Sequence, residues 1–302
     1  NADIAILNNL EFDHADIFSD VSEIEKQFHH WLKTLSRNSK LIVNKNSNSL
    51  EKVLSNGCWS NLNYFNSSSG WHFKEIEKNK NDLLDTNGSE KFQVFYYEKK
   101  ITEIETTLSG RHNLSNILAA FIAAYLLKLD VEKISESVKF FLNVKRRMEL
   151  LEDLNGIKII DDFAHHPTAI YETISAVRKK YLNEERDIRS ERRKEGKDRL
   201  IAVIEPRSNT MKLGVMQKEL ANSFNDVDIL FCYTKGIKWD FSKAISNSKI
   251  LPKIHNEIED LVEEIVNTAR TGDIILIMSN GSFDNIHEKL INKLKNLNNL
   301  ND

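Results

Sequence analysis

From residue 157 onward, short strand-like apolar runs alternate with longer segments whose apolar residues recur every three or four positions. The runs are Ile157–Ile160, Leu200–Ile204, Ile229–Cys232, a weaker Ile250-Leu251 and Ile274–Met278. Apolar runs of this length read as strands buried on both faces, as in parallel sheets. The stretches between them, near Thr168–Tyr181, Met216–Ser223, Ile258–Ala269 and Ile286–Leu294, read as helices. Strand and helix in turn predict an α/β, Rossmann-like domain with a mostly parallel sheet and helices on both faces. The first half is less regular. Ile4–Leu7 predicts a buried strand, and Ile24, Phe28, Trp31 and Leu35 fall at helical spacing over Val21–Leu35. Residues 40 to 108 alternate apolar runs (Leu41-Ile42-Val43, Trp71-His72-Phe73, Phe92 to Tyr97) with Asn/Ser/Gly clusters, which suggests strands and loops. Leu114, Ile117, Leu118, Phe121, Ile122 and Tyr125 mark an apolar helix after His112, and a further helix is predicted over Val131–Phe141. The character changes at Arg146-Arg147, so two domains are expected, 1–147 and 148–302. That division suits a chain of 302 residues. The opening strand lacks a preceding cap or turn, and the chain is expected to begin inside a fold.

Composition narrows the partners. Hydrophobic residues make up 40% of the chain, charged residues 29%, and the net charge is -3, which argues against wrapping nucleic acid. No apolar run is long enough for a membrane span and no basic-then-apolar leader is present, so the cytoplasm is the default expectation. Cys58 and Cys232 lie far apart without CxxC or Cys/His ligand spacing and read as reduced and structural, not as zinc ligands. The charged stretch 183–199 reads as a solvated excursion between a helix and the next strand.

In open α/β sheets, ligands bind beyond the carboxyl ends of the strands. Asp161-Asp162, Glu205 with Arg207, and Ser279-Asn280 all fall at predicted strand ends. Asp161 to Thr168 joins a strand to a helix primed by Pro167; an acid there can accept hydrogen bonds from ribose or hold an amine, or simply cap the helix. Of His165-His166, adjacent residues point different ways, so one of the two can line a site. Glu205 to Lys212 offers two cations with hydroxyl and amide groups, suited to a carboxylate-bearing substrate. Arg207, Ser208, Asn209 and Lys212 are the candidate contacts, with Arg207 as the bidentate partner. Asn113 and Asn116 share one helix face, and a carboxamide suits a purine edge or a ribose hydroxyl; the alternative is that Asn113 caps the helix while Asn116 faces water. His14, following Glu11 and Asp13 in a loop after a strand, can present an imidazole to a divalent cation or remain a surface histidine. A guanidinium from Arg146-Arg147 can reach phosphate or ribose, or stay solvated.

These pieces in this order resemble the Mur ligase family, the ATP-dependent amide-forming enzymes of bacterial cell-wall synthesis. The resemblance runs through Asn8 to Phe18, Gln27-Phe28-His29-His30, Gly57-Cys58-Trp59-Ser60, Gly110-Arg111-His112-Asn113, Arg146-Arg147-Met148-Glu149, Asp161 to Ile170, Glu205 to Lys212 and Met278-Ser279-Asn280-Gly281. It implies an incomplete central ATPase domain followed by a Rossmann-like ligase domain. It also implies that His14 helps bind catalytic Mg2+, that Asn113 and Asn116 surround adenine and ribose, and that Arg147 meets the nucleotide from the hinge. By the same resemblance Asp162 reaches the ribose of ATP; His166, Arg207, Ser208, Asn209, Lys212, Ser279 and Asn280 are the candidates for the substrate. The blocks Leu10 to Asp16 and Glu205 to Lys212 imply the branch that joins UDP-N-acetylmuramate to the recycled murein tripeptide L-Ala-γ-D-Glu-meso-diaminopimelate. The alternatives are the branch that adds L-alanine to the same sugar, or a non-catalytic nucleotide- or muropeptide-binding module. The family's phosphate loop, the acidic partner of its metal histidine and its UDP-binding domain have no counterpart here and would precede residue 1, so the chain alone is expected to lack ligase activity. His29 falls near where some relatives carry a carbamylated lysine, a device this sequence does not support. Asp284-Asn285 stand where glycines are expected, and hinge mobility is expected near 145–150.

Overall fold

In a computed structural model describing residues 2–76, 89–182, 198–246 and 248–301, the chain divides into two units, Asn1–Leu142 and Asn143–Asp302. The second unit begins a few residues ahead of the sequence-read boundary and takes Arg146 and Arg147 with it.

The first unit contains β1 (Ile4–Leu7), α1 (Val21–Leu32), β2 (Lys40–Asn44), α2 (Asn48–Ser55), β3 (Asn61–Phe65), β4 (Trp71–Glu75), β5 (Glu90–Tyr96), β6 (Lys99–Thr106), α3 (Arg111–Leu126) and α4 (Val131–Lys139). One sheet runs in the order β1-β2-β3-β4-β5-β6, parallel from β1 to β4 and antiparallel from β4 to β6. Strand alternation sorts the core onto two faces. Leu41 and Val43 pack with Ile24, Leu32, Leu50 and Val53 of α1 and α2, while Ile42 faces Phe65, Phe92, Leu118 and Phe121 on the α3 side. Helix α1 starts at Asp20, whose carboxylate accepts from Ser22 N and Glu23 N; it ends at Leu32, three residues short of the expected Leu35.

The second unit contains β7 (Glu149–Leu154), β8 (Ile157–Asp162), α5 (Pro167–Tyr181), β9 (Leu200–Ile204), α6 (Asn209–Leu213), α7 (Gln217–Ser223), β10 (Ile229–Tyr233), α8 (Phe241–Ala244), β11 (Pro252–His255), α9 (Ile258–Thr268), β12 (Ile274–Met278) and α10 (Ile286–Asn301). Its sheet runs β11-β10-β9-β12-β8-β7, and only β7 is antiparallel. The expected α/β architecture, a mostly parallel sheet with helices on both faces, is therefore the one found. Strands β9 and β12 are buried along their whole length. Leu200, Ala202 and Ile204 face α5 and α7, whereas Ile201 and Val203 face α9 and α10.

In the first unit helix α2 stands where strands and loops are expected, and in the second sheet two strands depart from the expectation. The strand expected at Ile250-Leu251 is β11, displaced to Pro252–His255, and Leu251 is exposed. Strand β7 was not expected at all: it is an edge strand bearing Glu149, Glu152 and Asp153, with a register shift between Leu150 and Glu152 that breaks simple alternation. Its turn was legible, because Asn155 (φ 52°) and Gly156 (φ 84°) form the Asn-Gly pair that a two-residue hairpin requires. The charged stretch 183–197 lies outside the described residues; Arg199, at its end, pairs with the buried Asp273 at 2.6 Å. Among the described residues no helix is long and apolar enough to cross a membrane.

Candidate functional site

In the first unit, β1, β2 and β3 deliver amides to one rim beside the start of α3. Asn8 Nδ2 donates to Asn116 Oδ1 at 2.8 Å. Asn66 Nδ2 donates both to Asn44 Oδ1 (3.0 Å) and to Ser115 Oγ (2.8 Å). Asn66 sits at φ 58°, a left-handed conformation that asparagine tolerates better than most residues. The N-cap of α3 is Gly110, at φ 98° with no side-chain cap bond, so Asn113 does not occupy the cap position. Instead Asn113 Nδ2 reaches back to Ser109 O at 2.7 Å. These bonds leave Asn113 with its carbonyl oxygen to offer and Asn116 with its NH2. An acceptor and a donor one helical turn apart complement a purine edge.

His14 is exposed in the loop after β1, at φ 55°, and its carbonyl accepts from Ile17 N (2.8 Å) and Phe18 N (2.9 Å). That turn holds the imidazole outward. Among the described residues no three His, Cys, Asp or Glu side chains converge as a protein-only metal site requires. His14 fits a cation as a single donor whose remaining ligands are oxygens of phosphate and water.

In the second unit the carboxyl ends of β8, β9, β10 and β12 meet. Asp162 is buried: its Oδ2 accepts from Met148 N (2.8 Å), and its Oδ1 from Ala164 N (2.8 Å) and Thr173 Oγ1 (3.2 Å). Burial pushes its carboxyl above the ordinary value, against the pull of those N–H groups, the Arg147 charge and the Thr173 hydroxyl. Its geometry is that of a brace for the loops at 148 and 164. Asp161 is buried too, with Oδ2 accepting from Arg146 Nε at 3.1 Å and Oδ1 lying 3.0 Å from His287 Nε2. Arg147 is exposed over the Phe163 ring, 5.5 Å from its centroid.

Residues 146–149 are fastened rather than loose. Arg146 N donates to Glu149 Oε2 (2.7 Å), Phe163 N donates to Arg146 O (2.8 Å), and Asn143 Nδ2 donates to Arg147 O. These bonds tie the turn, part of the stretch where hinge mobility is expected, to Glu149 and Phe163.

Beyond β9, β10 and β12 lies a cleft of about 180 Å³ lined by Glu205, Arg207, Lys212, Tyr233, Lys235 and Asp284. Arg207 Nη1 lies 3.6 Å from Glu205 Oε1 and donates to Ser282 Oγ at 3.4 Å. Its guanidinium lies against Gly281, where an added Cβ would stand 2.3 Å from Arg207 Cδ and 2.7 Å from Cζ. Of the other expected substrate residues, Ser208 caps α6 by accepting from Met211 N, and His166 caps α5 by accepting from Thr168 N. Ser279 lies behind the cleft, wholly buried: its hydroxyl donates to Glu205 Oε2 (2.5 Å) and accepts from Gly281 N (2.9 Å). Asn280 Oδ1 is buried with no partner among the described residues. Asn209 stands at the start of α6.

In this cleft three residues escaped the sequence reading. Tyr233 and Lys235 follow directly from the apolar run Ile229–Cys232, so the strand-end rule that selected Arg207 would have selected them. Asp284 required the backbone: Phe283, Asp284 and Asn285 all have positive φ (49°, 45° and 59°). Glycine fits such positions best and Asp and Asn next, which accounts for an acid and an amide where glycines were expected. Asp284 Oδ2 accepts from Tyr233 OH at 2.7 Å and lies 3.5 Å from Lys235 Nζ. That bond lowers the Asp284 carboxyl pKa, while burial, then Asp284, pushes the Tyr233 phenol up.

Residues 1–124 match the Mur ligase middle domain and residues 146–281 the Mur ligase glutamate ligase domain. The chain is 36% identical over 292 residues to a UDP-N-acetylmuramate–L-alanyl-γ-D-glutamyl-meso-2,6-diaminoheptandioate ligase of Haemophilus influenzae, covering 96% of this chain and 59% of that protein. The Escherichia coli protein of the same name is 36% identical over 290 residues, with the same coverage of 96% and 59%. A crystal structure of a murein peptide ligase from Psychrobacter arcticus matches with a TM-score of 0.65 and 35% identity, over 96% of this chain and 57% of that one. The chain thus spans under two thirds of the length of the relatives it matches. With one domain of the family matched in each unit, and relatives 36% identical over 96% of its length, the chain belongs to the Mur ligase family.

Proposed function

We propose that this chain supplies nucleotide-binding and amine-binding parts of an ATP-dependent ligase. That ligase joins the recycled tripeptide L-Ala-γ-D-Glu-meso-diaminopimelate to UDP-N-acetylmuramate in peptidoglycan recycling. The observation that carries this reading is the mixed-charge cleft of the second unit, with Arg207 seated on Gly281. Three cations and two carboxylates around about 180 Å³ suit a peptide end bearing both signs of charge. L-alanine alone offers no side-chain charges to match them, which favours the peptide over the alanine reading.

In this chemistry ATP phosphorylates a carboxylate and the amine attacks the resulting acyl phosphate. No protein nucleophile is required, so catalysis rests on positioning and on neutralising charge. Asn113 and Asn116 orient the base. Arg147, exposed and stacked only on Phe163 among the contacts described, offers its charge to the phosphate oxygens. Arg207 and Lys212 anchor a carboxylate of the amine donor, which brings its amine to bear. His14 is the residue that would help hold Mg2+, which when bound would supply charge neutralisation at the phosphates. Asp162 supports Arg147 from behind by fixing the Met148 N–H. A cytoplasmic setting follows from this substrate, a nucleotide sugar.

The test is amide formation by the complete ligase from UDP-N-acetylmuramate and ATP, with the tripeptide or L-alanine as amine. Ligation of tripeptide with ADP release is expected, and preference for L-alanine overturns the assignment. The 302-residue chain by itself is expected to be inactive, since the family's phosphate loop has no counterpart in it; steady turnover by the isolated chain would count against this.

A further inference from the structure

Neighbouring arginines in the second unit divide their work. Arg147 is exposed, whereas Arg146 turns inward and spends its guanidinium on two partners at once: Nε donates to Asp161 Oδ2 (3.1 Å) and Nη2 to Ser279 O (2.6 Å). Ser279 in turn donates through its hydroxyl to Glu205, on the wall of the cleft. A continuous polar chain therefore runs from the cleft through Glu205, Ser279 and Arg146 to the turn that carries Arg147. Its links Glu205 and Ser279 are buried, as is Asp161, the second partner of Arg146. Both ends of that turn are strained, with Arg146 at φ 59° and Met148 at φ 49°. Such conformations persist only where surrounding bonds over-determine them.

We propose that Arg146 is a positioning residue that ties the occupant of the Glu205–Arg207 cleft to the orientation of Arg147. The proposal rests on reading that cleft as the amine-donor site. A planar fork is needed, because only a guanidinium can hold Asp161 and the Ser279 carbonyl in fixed directions together. A ligand that immobilises Glu205 then stiffens Ser279, and through it the backbone of the Arg146–Met148 turn. No displacement is required, only a narrowing of what the turn samples.

The experiment is amide hydrogen exchange at residues 146–149 of this chain, with and without the tripeptide, alongside calorimetric titration of the same ligand. In the unaltered chain the tripeptide is expected to slow exchange there on the order of tenfold, the size of an ordinary coupling between sites. Arg146→Lys retains the charge pair with Asp161 but cannot also reach Ser279 O; it is expected to bind tripeptide within about threefold of the unaltered chain, well inside that coupling, while losing the ligand-dependent slowing. Ser279→Ala cuts the chain from the cleft side and is expected to lose the slowing too, which keeps the test decisive should Arg146→Lys fold poorly. A merely structural Arg146 would alter exchange equally with and without ligand. Tripeptide binding without slowing in the unaltered chain, or slowing that survives both substitutions, overturns the proposal and leaves the assignment of the cleft standing. Absence of tripeptide binding to the unaltered chain overturns that assignment, and this proposal with it.

Discussion

Replacing Gly281 by alanine isolates what the seat of Arg207 is worth. The new Cβ would stand 2.3 Å from Arg207 Cδ, 2.5 Å from Nε and 2.7 Å from Cζ, so the guanidinium must leave. Gly281 is not among the positive-φ glycines, so the backbone itself accepts alanine. What Arg207 forfeits within the protein is a half-exposed ion pair with Glu205 at 3.6 Å and a long bond to Ser282, together worth at most about 1 kcal/mol. The melting temperature should therefore shift by no more than roughly 2–4 °C. Binding should suffer more, because a charge-assisted bond to a substrate carboxylate contributes about 1.5–3 kcal/mol. The tripeptide Kd, read by calorimetry, should rise roughly ten- to a hundredfold. The decisive arm is Arg207→Ala with and without Gly281→Ala. If the alanine acts only by unseating Arg207, the double variant binds like Arg207→Ala alone. Additive losses, or a collapse of the melting temperature in Gly281→Ala, would refute the reasoning.

Asp162→Asn exchanges one acceptor oxygen for an NH2 group that faces either Met148 N, or Ala164 N and Thr173 Oγ1; leaving one buried N–H unpaired should cost about 1–3 kcal/mol, read as a lowered denaturation midpoint. Because the folded-state pKa of Asp162 is raised, its stabilising share is full below 3.8 and is lost as pH rises through its folded value. The stability gap between the native chain and Asp162→Asn should therefore be widest at the acid end of a pH series and narrow upward; a gap that widens with rising pH would contradict it. Asp284→Gly sheds left-handed strain of about 1–2 kcal/mol and loses a Tyr233 bond of about 0.5–1.5 kcal/mol, so its thermal stability should nearly match the native chain. Asp284→Val loses the bond and worsens the strain, and a stable Val variant would show that the backbone there is not constrained. Asn8→Ala removes the bond that orients Asn116 and should weaken ATP binding by the complete ligase by about 0.5–1.5 kcal/mol; unchanged ATP affinity would detach the amide rim from the nucleotide.

The central strands of the second unit were legible because burial on both faces leaves no polar position to interrupt Leu200–Ile204 or Ile274–Met278. Strand β7 was not, because an edge needs few apolar residues and its acids read as solvent-facing. Helix α2 is short enough that Leu50, Val53 and Leu54 do not repeat into a clear period. At the sites, the strand-end rule located Asp161, Asp162, Glu205, Arg207 and Ser279, since sequence fixes where a parallel strand stops. It could not say which of them face solvent. That Ser279 and Asp162 lie inside while Arg207 lies outside depends on partners up to 133 residues away, as in the bond from Arg146 to Ser279. Asp284 likewise gains meaning only once Tyr233 is folded beneath it.

The order in which the second sheet is laid down has a consequence for biosynthesis. Strand β12, which separates β9 from β8, is the last of its six strands to be translated. Until it arrives, the pieces on either side share no edge and expose unpaired backbone. A ribosome stalled or a transcript cut between His255 and Ile274 releases two half-sheets instead of a shortened domain, and such products should depend on chaperones and be cleared as aggregates.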